Sequence, residues 1–306
     1  MALHSSSLPM VLSPVVTPFD RNGNPDAAKL AKQCQWLGKN GVGMALFGTN
    51  SEANSMSVSE RINALASVVK AGLPAGHMMP GAGACAVADA VALSKAAVDL
   101  GCAGTLTLPP FYYKDVPDDG LFAYFAQIIE KVGDARLQIY LYNIPPVSKV
   151  GFSLPLIERL IKAYPKTVVG MKDSSGDWAY TESVIDAFAP SGFRMYAGSE
   201  SFLLRTLRAG GAGCISATTN VNPGPIATLA ANWQAADADA KQAALDVVRG
   251  IFQSRPMIPA MKAAIAHFSG DAQWAEVRPP LVKLDAAKTA DLVAAMKAAN
   301  FEITGL

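Results

Sequence analysis

The chain has 306 residues, of which 51% are hydrophobic and 17% are charged, so it can bury a large core. Its 26 basic and 25 acidic residues nearly cancel, which leaves no electrostatic footprint for a nucleic acid or an anionic membrane surface. An anionic small-molecule substrate would therefore be held by local groups rather than by the field of the whole protein.

The amino-terminal segment, MALHSSSLPMVLSPVV, lacks the basic start and continuous apolar stretch of a signal peptide. Uncharged stretches elsewhere are broken by Pro, Asn, Thr and Gly, so no membrane span is expected. The four cysteines are scattered without a C-x-x-C pair, as is typical of reduced cytoplasmic thiols. His4, His77 and His267 are too dispersed to indicate a metal site. We therefore expect a cytoplasmic protein without a metal.

Eight short apolar runs recur along the chain, and each is followed by a helical pattern. In chain order they are MVLSPVV (10–16), GMALF (43–47), HMMPG (77–81), GTLTL (104–108), LQIYLY (137–142), TVVGMK (167–172), FRMYAG (193–198) and AGCISA (212–217). Most are spaced by 26 to 34 residues, the length of a strand, a turn and a crossover helix. The stretches between them, such as SERINALASVVKAG, place apolar residues at helical spacing.

Eight β-then-α units with near-continuous apolar strands predict an α/β fold, a closed (β/α)8 barrel over residues 1–224. The alternative is an open doubly wound sheet, but no complete G-x-G-x-x-G follows the first run, and 81–83 stops short of a third glycine. After about residue 225 the strand signal disappears, so residues 225–306 are predicted to form a C-terminal helical extension.

Polar side chains gather where the predicted strands end, and in a barrel the βα loops meet at that edge. They are Thr49, Asn50, Ser51 and Glu52 after the second run, Tyr142 and Asn143 at the fifth, Lys172 and Asp173 at the sixth, and Ser199 and Glu200 after the seventh. The segment 48–52 either caps the following helix or holds a carboxylate with backbone N–H groups and hydroxyls.

Lys172 is the most informative of these residues because it closes the apolar run 168–171. Its side chain must start inside the barrel, where burial favours the neutral, nucleophilic amine. Alternatively, the side chain extends past the strand end to pair with Asp173 or Asp177. Tyr142, on the neighbouring strand, is either a core residue or a proton relay beside Lys172. The aromatic segment 111–113 is either core or subunit contact.

Together these motifs resemble the dihydrodipicolinate synthase and N-acetylneuraminate lyase family of class I aldolases. The likeness runs over nearly the whole chain, and the order and spacing of its elements are highly specific. The elements are SPVVTPFD with GNPD (13–26), GTNSEA (48–53), the segment 81–104, PPFYYK (109–114), YNIP (142–145), GMKDSSGD (170–177) and GCISATTNV (213–221).

The resemblance implies a Schiff base between Lys172 and a 2-keto acid such as pyruvate, with Tyr142 as the proton shuttle. It implies that Thr49 and Asn50 belong to the loop that binds the pyruvyl carboxylate. Tyr113 resembles the tyrosine that family members contribute across a tight dimer. No cofactor is implied, since the lysine iminium is itself the electron sink, and family members are usually homotetramers built as dimers of dimers.

Two departures from the family pattern bear on mechanism and substrate. Asn50 replaces a hydroxyl, and Ser51, also in the substrate loop, replaces a glycine that permits positive φ. Val147 stands where dihydrodipicolinate synthases place an arginine that grips the carboxylate of aspartate semialdehyde, and Lys149 offers only a shifted point charge. YNIP, PPFYY and VRPPL (277–281) look more like neuraminate lyases and sugar-acid aldolases.

We therefore predict a lyase that cleaves or dehydrates a 2-keto-3-deoxy sugar acid or a related 4-hydroxy-2-keto acid. Ser199, Glu200 and Ser216, near the ends of the last two runs, are candidate partners for the substrate hydroxyls. Two alternatives stay open. One is a 4-hydroxy-tetrahydrodipicolinate (dihydrodipicolinate) synthase that condenses pyruvate with aspartate semialdehyde. The other is a keto-acid-binding regulator on a degenerate barrel, although retention of both Lys172 and Tyr142 argues against it.

Overall fold

The computed structural model of the chain describes residues 8–306, and His4 with the rest of segment 1–7 lies outside the described residues. The described residues fall into two compact units. The first unit is Pro74–Ile215 with Leu8, and the second is Pro9–Leu73 with Ser216–Leu306. Nowhere in residues 8–306 is there a helix with the length and hydropathy needed to span a membrane.

The described residues contain seven short strands and twelve helices. The strands are β1 (Val11–Ser13), β2 (Gly43–Met44), β3 (Thr105–Thr107), β4 (Ile139–Asn143), β5 (Val168–Asp173), β6 (Arg194–Ala197) and β7 (Gly213–Ile215). The helices are α1 (Ala27–Lys39), α2 (Val58–Lys70), α3 (Val87–Asp99), α4 (Asp118–Val132), α5 (Pro145–Ser148), α6 (Leu154–Ala163), α7 (Trp178–Phe188), α8 (Leu203–Arg208), α9 (Pro223–Ala231), α10 (Ala238–Gln253), α11 (Met257–Ser269) and α12 (Ala286–Ala298).

In the first unit, strands β3 to β7 lie side by side in chain order and run parallel. Alternate strand residues point to opposite faces. On one face Leu141, Met171 and Met195 pack into a hydrophobic core with helix residues such as Phe125 and Ile185. The other face carries the side chains of the candidate site.

The third predicted strand, at residues 77–81, does not form a strand. The segment runs beside β3 and makes one isolated parallel bridge, Gly81 with Leu106. The amide of Leu106 donates to the carbonyl of Pro80 at 2.9 Å, and the amide of Ala82 donates to the carbonyl of Leu106 at 3.0 Å. Proline has no N–H to donate, so Pro80 interrupts the ladder one residue earlier. The expectation of a third regular strand was therefore wrong.

In the second unit, β1 and β2 pair in parallel, with Leu12 opposite Gly43. The predicted helices after residue 225 are confirmed, because α9 to α12 occupy that part of the chain. Trp36 of α1 donates from Nε1 to the carbonyl of Thr304 at 2.9 Å, which ties the C-terminal segment to an early helix. The division of the chain at residue 224 into a barrel and an extension stays a prediction.

Candidate active site

Lys172 lies on β5 with only 2% of its surface exposed. It is opposite Tyr142 of β4 in the strand register, so the two side chains leave neighbouring strands on the same face. Nζ of Lys172 lies 3.3 Å from the hydroxyl oxygen of Tyr142 and 4.4 Å from the centre of its ring. A buried amine and a phenol are thus held within hydrogen-bond reach.

Gly170, two residues before Lys172 on β5, has no side chain and so leaves room for a neighbouring aromatic ring. A Cβ at Gly170 would lie 2.5 Å from the ring of Tyr140 and 2.5 Å from the carbonyl oxygen of Arg194. The ring of Tyr140 fills the room that the missing side chain leaves, and it packs at 6.0 Å against the ring of Tyr196. Tyr140 and Tyr196 therefore place two aromatic rings on the face that carries Lys172.

The sequence left Lys172 either buried or extended past the strand end to Asp173 or Asp177. In the structure Lys172 is buried, and both aspartates have other partners. Asp173 faces the helices, where its carboxylate accepts from Asn143 Nδ2 at 2.7 Å and from Thr181 Oγ1 at 2.6 Å. The amide and hydroxyl of Ser175 donate to it at 3.0 and 2.7 Å. Asp177 caps the start of α7. Asp173 thereby joins β4, β5 and α7 directly beside the Lys172–Tyr142 pair.

Three further predicted residues of the first unit lie in different surroundings. Tyr113 is 73% exposed and contacts Tyr112, whose ring centre is 5.3 Å away, so neither is a core residue. Ser199 accepts from the amide of Ser201 at 3.2 Å and caps a short 3₁₀ turn. Glu200, the first residue of that turn, is buried. The chain as described does not bring Tyr113 to Lys172.

The remaining predicted residues belong to the second unit. Thr49–Ser51 forms a 3₁₀ turn in which Thr49 and Asn50 are half-buried and Ser51 is buried. The hydroxyl of Ser51 has no hydrogen-bond partner within the described part of the chain. Ser216 is buried and accepts from Arg249 Nη1 at 3.2 Å. Ser51 therefore presents a buried polar group that a ligand oxygen can satisfy.

The sequence analysis did not name Lys262, a residue of the second unit. Lys262 lies on α11, fully buried, and forms an ion pair with Glu52, whose oxygen is 2.7 Å from Nζ. The backbone amide of Arg278 donates to the other oxygen of Glu52 at 2.7 Å. One signal was available, since Lys262 is the only charged residue in the otherwise apolar stretch 256–266.

Residues 8–306 contain no group of three or more His, Cys, Asp or Glu side chains placed to hold a metal ion. All four cysteines lie in this part of the chain and are free thiols. Burial raises the pKa of the Cys102 thiol to about 12, which keeps it protonated and unreactive at neutral pH.

A model of the dihydrodipicolinate synthetase family matches residues 7–299. The chain belongs to this family. A protein named "Uncharacterized DapA-like lyase" from Chloroflexus aurantiacus is 35% identical over 289 residues, which are 93% of this chain and 95% of that protein.

Solved structures agree. Dihydrodipicolinate synthase from Agrobacterium tumefaciens is 32% identical with a TM-score of 0.86, over 95% of this chain and 99% of that one. YagE, an Escherichia coli prophage protein of the dihydrodipicolinic acid synthase family in complex with pyruvate, is 26% identical with a TM-score of 0.87. The match covers 96% of this chain and 99% of YagE.

Members of the dihydrodipicolinate synthetase family are (β/α)8 barrels with a C-terminal helical region, so the predicted fold class is confirmed. They are class I aldolases and lyases whose chemistry uses pyruvate and a Schiff base, and the predicted enzyme class, a lyase, is confirmed with them. The roles of the individual site residues stay predictions.

Proposed function

We propose that this protein is a class I lyase that cleaves or dehydrates a 2-keto-3-deoxy sugar acid or a related 4-hydroxy-2-keto acid. In this proposal Lys172 forms the Schiff base and Tyr142 moves the proton. The observation that carries it is the buried Nζ of Lys172 at 3.3 Å from the hydroxyl of Tyr142. A positioned nucleophile with an acid–base group in hydrogen-bond reach is what Schiff-base catalysis requires.

In the proposed cleavage, Nζ attacks the C2 ketone, and loss of water leaves a protonated imine. Tyr142 gives its proton to the departing water and is left as the phenolate. The iminium then draws the electron pair of the C3–C4 bond toward C2 while this phenolate accepts the proton of the C4 hydroxyl. An aldehyde leaves, the enamine is protonated at C3, and water releases pyruvate and the free lysine. Dehydration would share the Schiff base and differ in the bond that breaks.

The carboxylate of the keto acid needs donors, and we assign them to Thr49, Asn50 and Ser51 on the family resemblance. The buried hydroxyl of Ser51, without a partner in the described residues, supports this assignment. Asn50 donates from its amide where other family members have a hydroxyl, so it can bind a carboxylate but cannot relay a proton. Ser199, Glu200 and Ser216 are proposed to meet the substrate hydroxyls.

The second candidate is a 4-hydroxy-tetrahydrodipicolinate synthase, and the 32% identity to the Agrobacterium tumefaciens dihydrodipicolinate synthase favours it. Against it stands Val147, on the short helix α5, which is 63% exposed and offers no charge to a second carboxylate. Lys149 follows in the left-handed conformation with φ of 56° and is also exposed. A sugar-acid substrate therefore fits the residues better.

The proposed assembly is a homotetramer built from dimers, in which Tyr113 of one protomer serves as a catalytic residue in the active site of the next. The exposed ring pair of Tyr112 and Tyr113 supports an interface at this segment, because two large aromatic side chains facing water are typical of a contact surface. A cytoplasmic location stays a prediction from the sequence.

The deciding experiment is reductive trapping. Pyruvate with borohydride is expected to add a reduced pyruvyl group to the one peptide that contains Lys172, as read by mass spectrometry. Lys172→Ala is expected to abolish the label, whereas Lys166→Ala, at an exposed lysine just before β5, keeps it. An unlabelled wild-type protein, or a label on another lysine, contradicts the proposal.

A further inference from the structure

A second buried lysine, Lys262, lies outside the Schiff-base pair. Its side chain and that of its partner Glu52 are both fully buried. Nζ of Lys262 is 2.7 Å from Glu52 Oε1 and 2.8 Å from the carbonyl oxygen of Thr17, and it lies 4.5 Å above the centre of the Phe19 ring. A carboxylate and a carbonyl oxygen within hydrogen-bond distance of Nζ are surroundings that favour the charged ammonium over a neutral, nucleophilic amine.

Such a pair is expensive to bury, since each charge loses its hydration and the mutual attraction only offsets that loss when the geometry is good. Burial lowers the pKa of Lys262, and the negative charge of Glu52 opposes that shift. A well-packed apolar pair would serve stability as well or better. A role other than stability is therefore the more economical explanation of the pair.

The pair is connected to the loop of residues 48–52 by two routes. Glu52 is the last residue of that loop and has a φ of 58°, a left-handed conformation that a glutamate rarely adopts. Thr17, whose carbonyl accepts from Lys262, donates from Oγ1 to the carbonyl of Ser51 at 2.7 Å. Lys262 thus holds the loop directly through Glu52 and indirectly through Thr17.

Arg278 closes the same network from the other side. Its backbone amide donates to Glu52 Oε2 at 2.7 Å, so both oxygens of the buried carboxylate are engaged. Its guanidinium lies 4.8 Å from the centre of the Phe19 ring and donates to the carbonyls of Gly23 and Ser55 at 2.7 and 2.8 Å. Arg278 therefore holds the backbone just after the loop, at Ser55, as well as the carboxylate of Glu52.

We propose that Glu52 and Lys262 are positioning residues that hold the turn Thr49–Ser51 in the geometry that binds the carboxylate of the 2-keto acid. This inference rests on the proposed function, which assigns that turn to the carboxylate. Neither residue touches the reacting atoms. Their effect is to keep the left-handed end of the loop in place, so that the donors of the turn do not shift.

The test measures the pyruvate concentration that half-saturates borohydride trapping of Lys172. We expect Glu52→Gln and Lys262→Met to raise it on the order of 10-fold or more, since a misplacement of about 1 Å is enough for such a loss. At saturating pyruvate the label still reaches Lys172. The matched control is Lys288→Met, which breaks an exposed ion pair with Asp285 in the same unit and leaves half-saturation unchanged.

The double variant Glu52→Gln with Lys262→Met separates positioning from stability. Removing both charges restores stability relative to either single variant, yet we expect the half-saturating concentration to stay raised. If the single variants do not fold, Thr17→Val removes the second route without leaving a charge, and a rise of several-fold is expected. Wild-type half-saturation in the folded double variant or in Thr17→Val overturns the inference. An unlabelled wild-type Lys172 overturns the proposed function instead.

Discussion

Tyr142 holds its hydroxyl 3.3 Å from Nζ of Lys172, and in the proposed mechanism this hydroxyl moves the proton. Tyr142→Phe keeps the ring that packs beside the lysine and removes only the hydroxyl. We expect kcat to fall by roughly 10²-fold or more, the scale of losing a positioned acid–base group, while pyruvate trapping at Lys172 persists. Steady-state turnover and mass spectrometry on one preparation measure both. Wild-type turnover would return Tyr142 to the role of a core residue.

The role of Val147 in substrate choice can be tested by comparing two substrates on the wild-type protein and by replacing the valine with arginine. A bidentate arginine clamp on a carboxylate is missing here, and hydrogen bonds to charged groups are worth about 1.5–3 kcal/mol each. We expect a 2-keto-3-deoxy sugar acid to be turned over faster than aspartate semialdehyde condenses with pyruvate. Val147→Arg, at a site 63% exposed and therefore tolerant of a longer side chain, is expected to raise kcat/KM for aspartate semialdehyde.

Side-by-side assays of the two substrates decide the point. A wild-type kcat/KM for aspartate semialdehyde of about 10⁴ M⁻¹s⁻¹ or above, the ordinary range for a native substrate, would contradict the argument from Val147. The function would then be that of the second candidate, a 4-hydroxy-tetrahydrodipicolinate synthase. Val147→Ala is the matched control, because it changes the same side chain without adding a charge.

Strand β5 carries Gly170 two residues before Lys172, at the place where the ring of Tyr140 packs against the strand. A Cβ there would lie 2.5 Å from both that ring and the backbone carbonyl of Arg194, so Gly170→Ala must displace a core side chain or a neighbouring strand. We expect a loss of about 1–3 kcal/mol in the free energy of unfolding, the usual range for overpacking, and a lower rate of trapping at Lys172. Chemical denaturation measures the first and timed borohydride quenching the second.

Gly250→Ala is the matched control for Gly170→Ala. Gly250 lies inside α10 and is exposed, and a Cβ added there would meet no atom within 4 Å. Gly250→Ala is expected to stabilise the protein by about 0.5–1 kcal/mol, the difference in helix propensity between the two residues. Equal effects of the two substitutions would mean that the close packing of Gly170 against Tyr140 does not matter for stability.

For the molecule as a whole, resistance to acid is expected to depend on the ion pair of Glu60 and Arg278. The Arg278 guanidinium lowers the pKa of Glu60 from 4.5 to about 2. A carboxyl with a lowered pKa in the folded state contributes stability that is present above its unfolded pKa and lost as the pH falls toward the folded one. Stability should therefore decline between about pH 5 and about pH 2.

The matched variant is Glu60→Gln, which keeps the shape and removes the titration. Both partners are partly exposed, so we expect a contribution on the order of 1 kcal/mol at neutral pH. Unfolding midpoints of the two proteins at about pH 7 and about pH 3.5 give the comparison. A wild-type protein that loses no more stability than Glu60→Gln over this range would contradict the assignment.

The sequence by itself determined the class of fold and the family, and it named Lys172 and Tyr142 as the candidate Schiff-base pair. Periodicity is a local property, so apolar runs and helical spacing predicted strands β3 to β7 and helices between them without reference to distant contacts. Lys172 and Tyr142 could be placed together because each closes a run and neighbouring parallel strands end at one edge. The sequence likewise marked the loop 48–52 as polar.

Only the tertiary structure decided which partner each charged group takes. Pattern alone left Lys172 free to turn to Tyr142 or to Asp173, and the alternation of β5 sends Asp173 to the helices, where Asn143 and Thr181 bind it. Lys262 and Glu52 are 210 residues apart in sequence, and no local pattern encodes a contact at that distance. Burial makes such a pair necessary once one charge is inside. Which residue supplies the opposite charge depends on the tertiary fold.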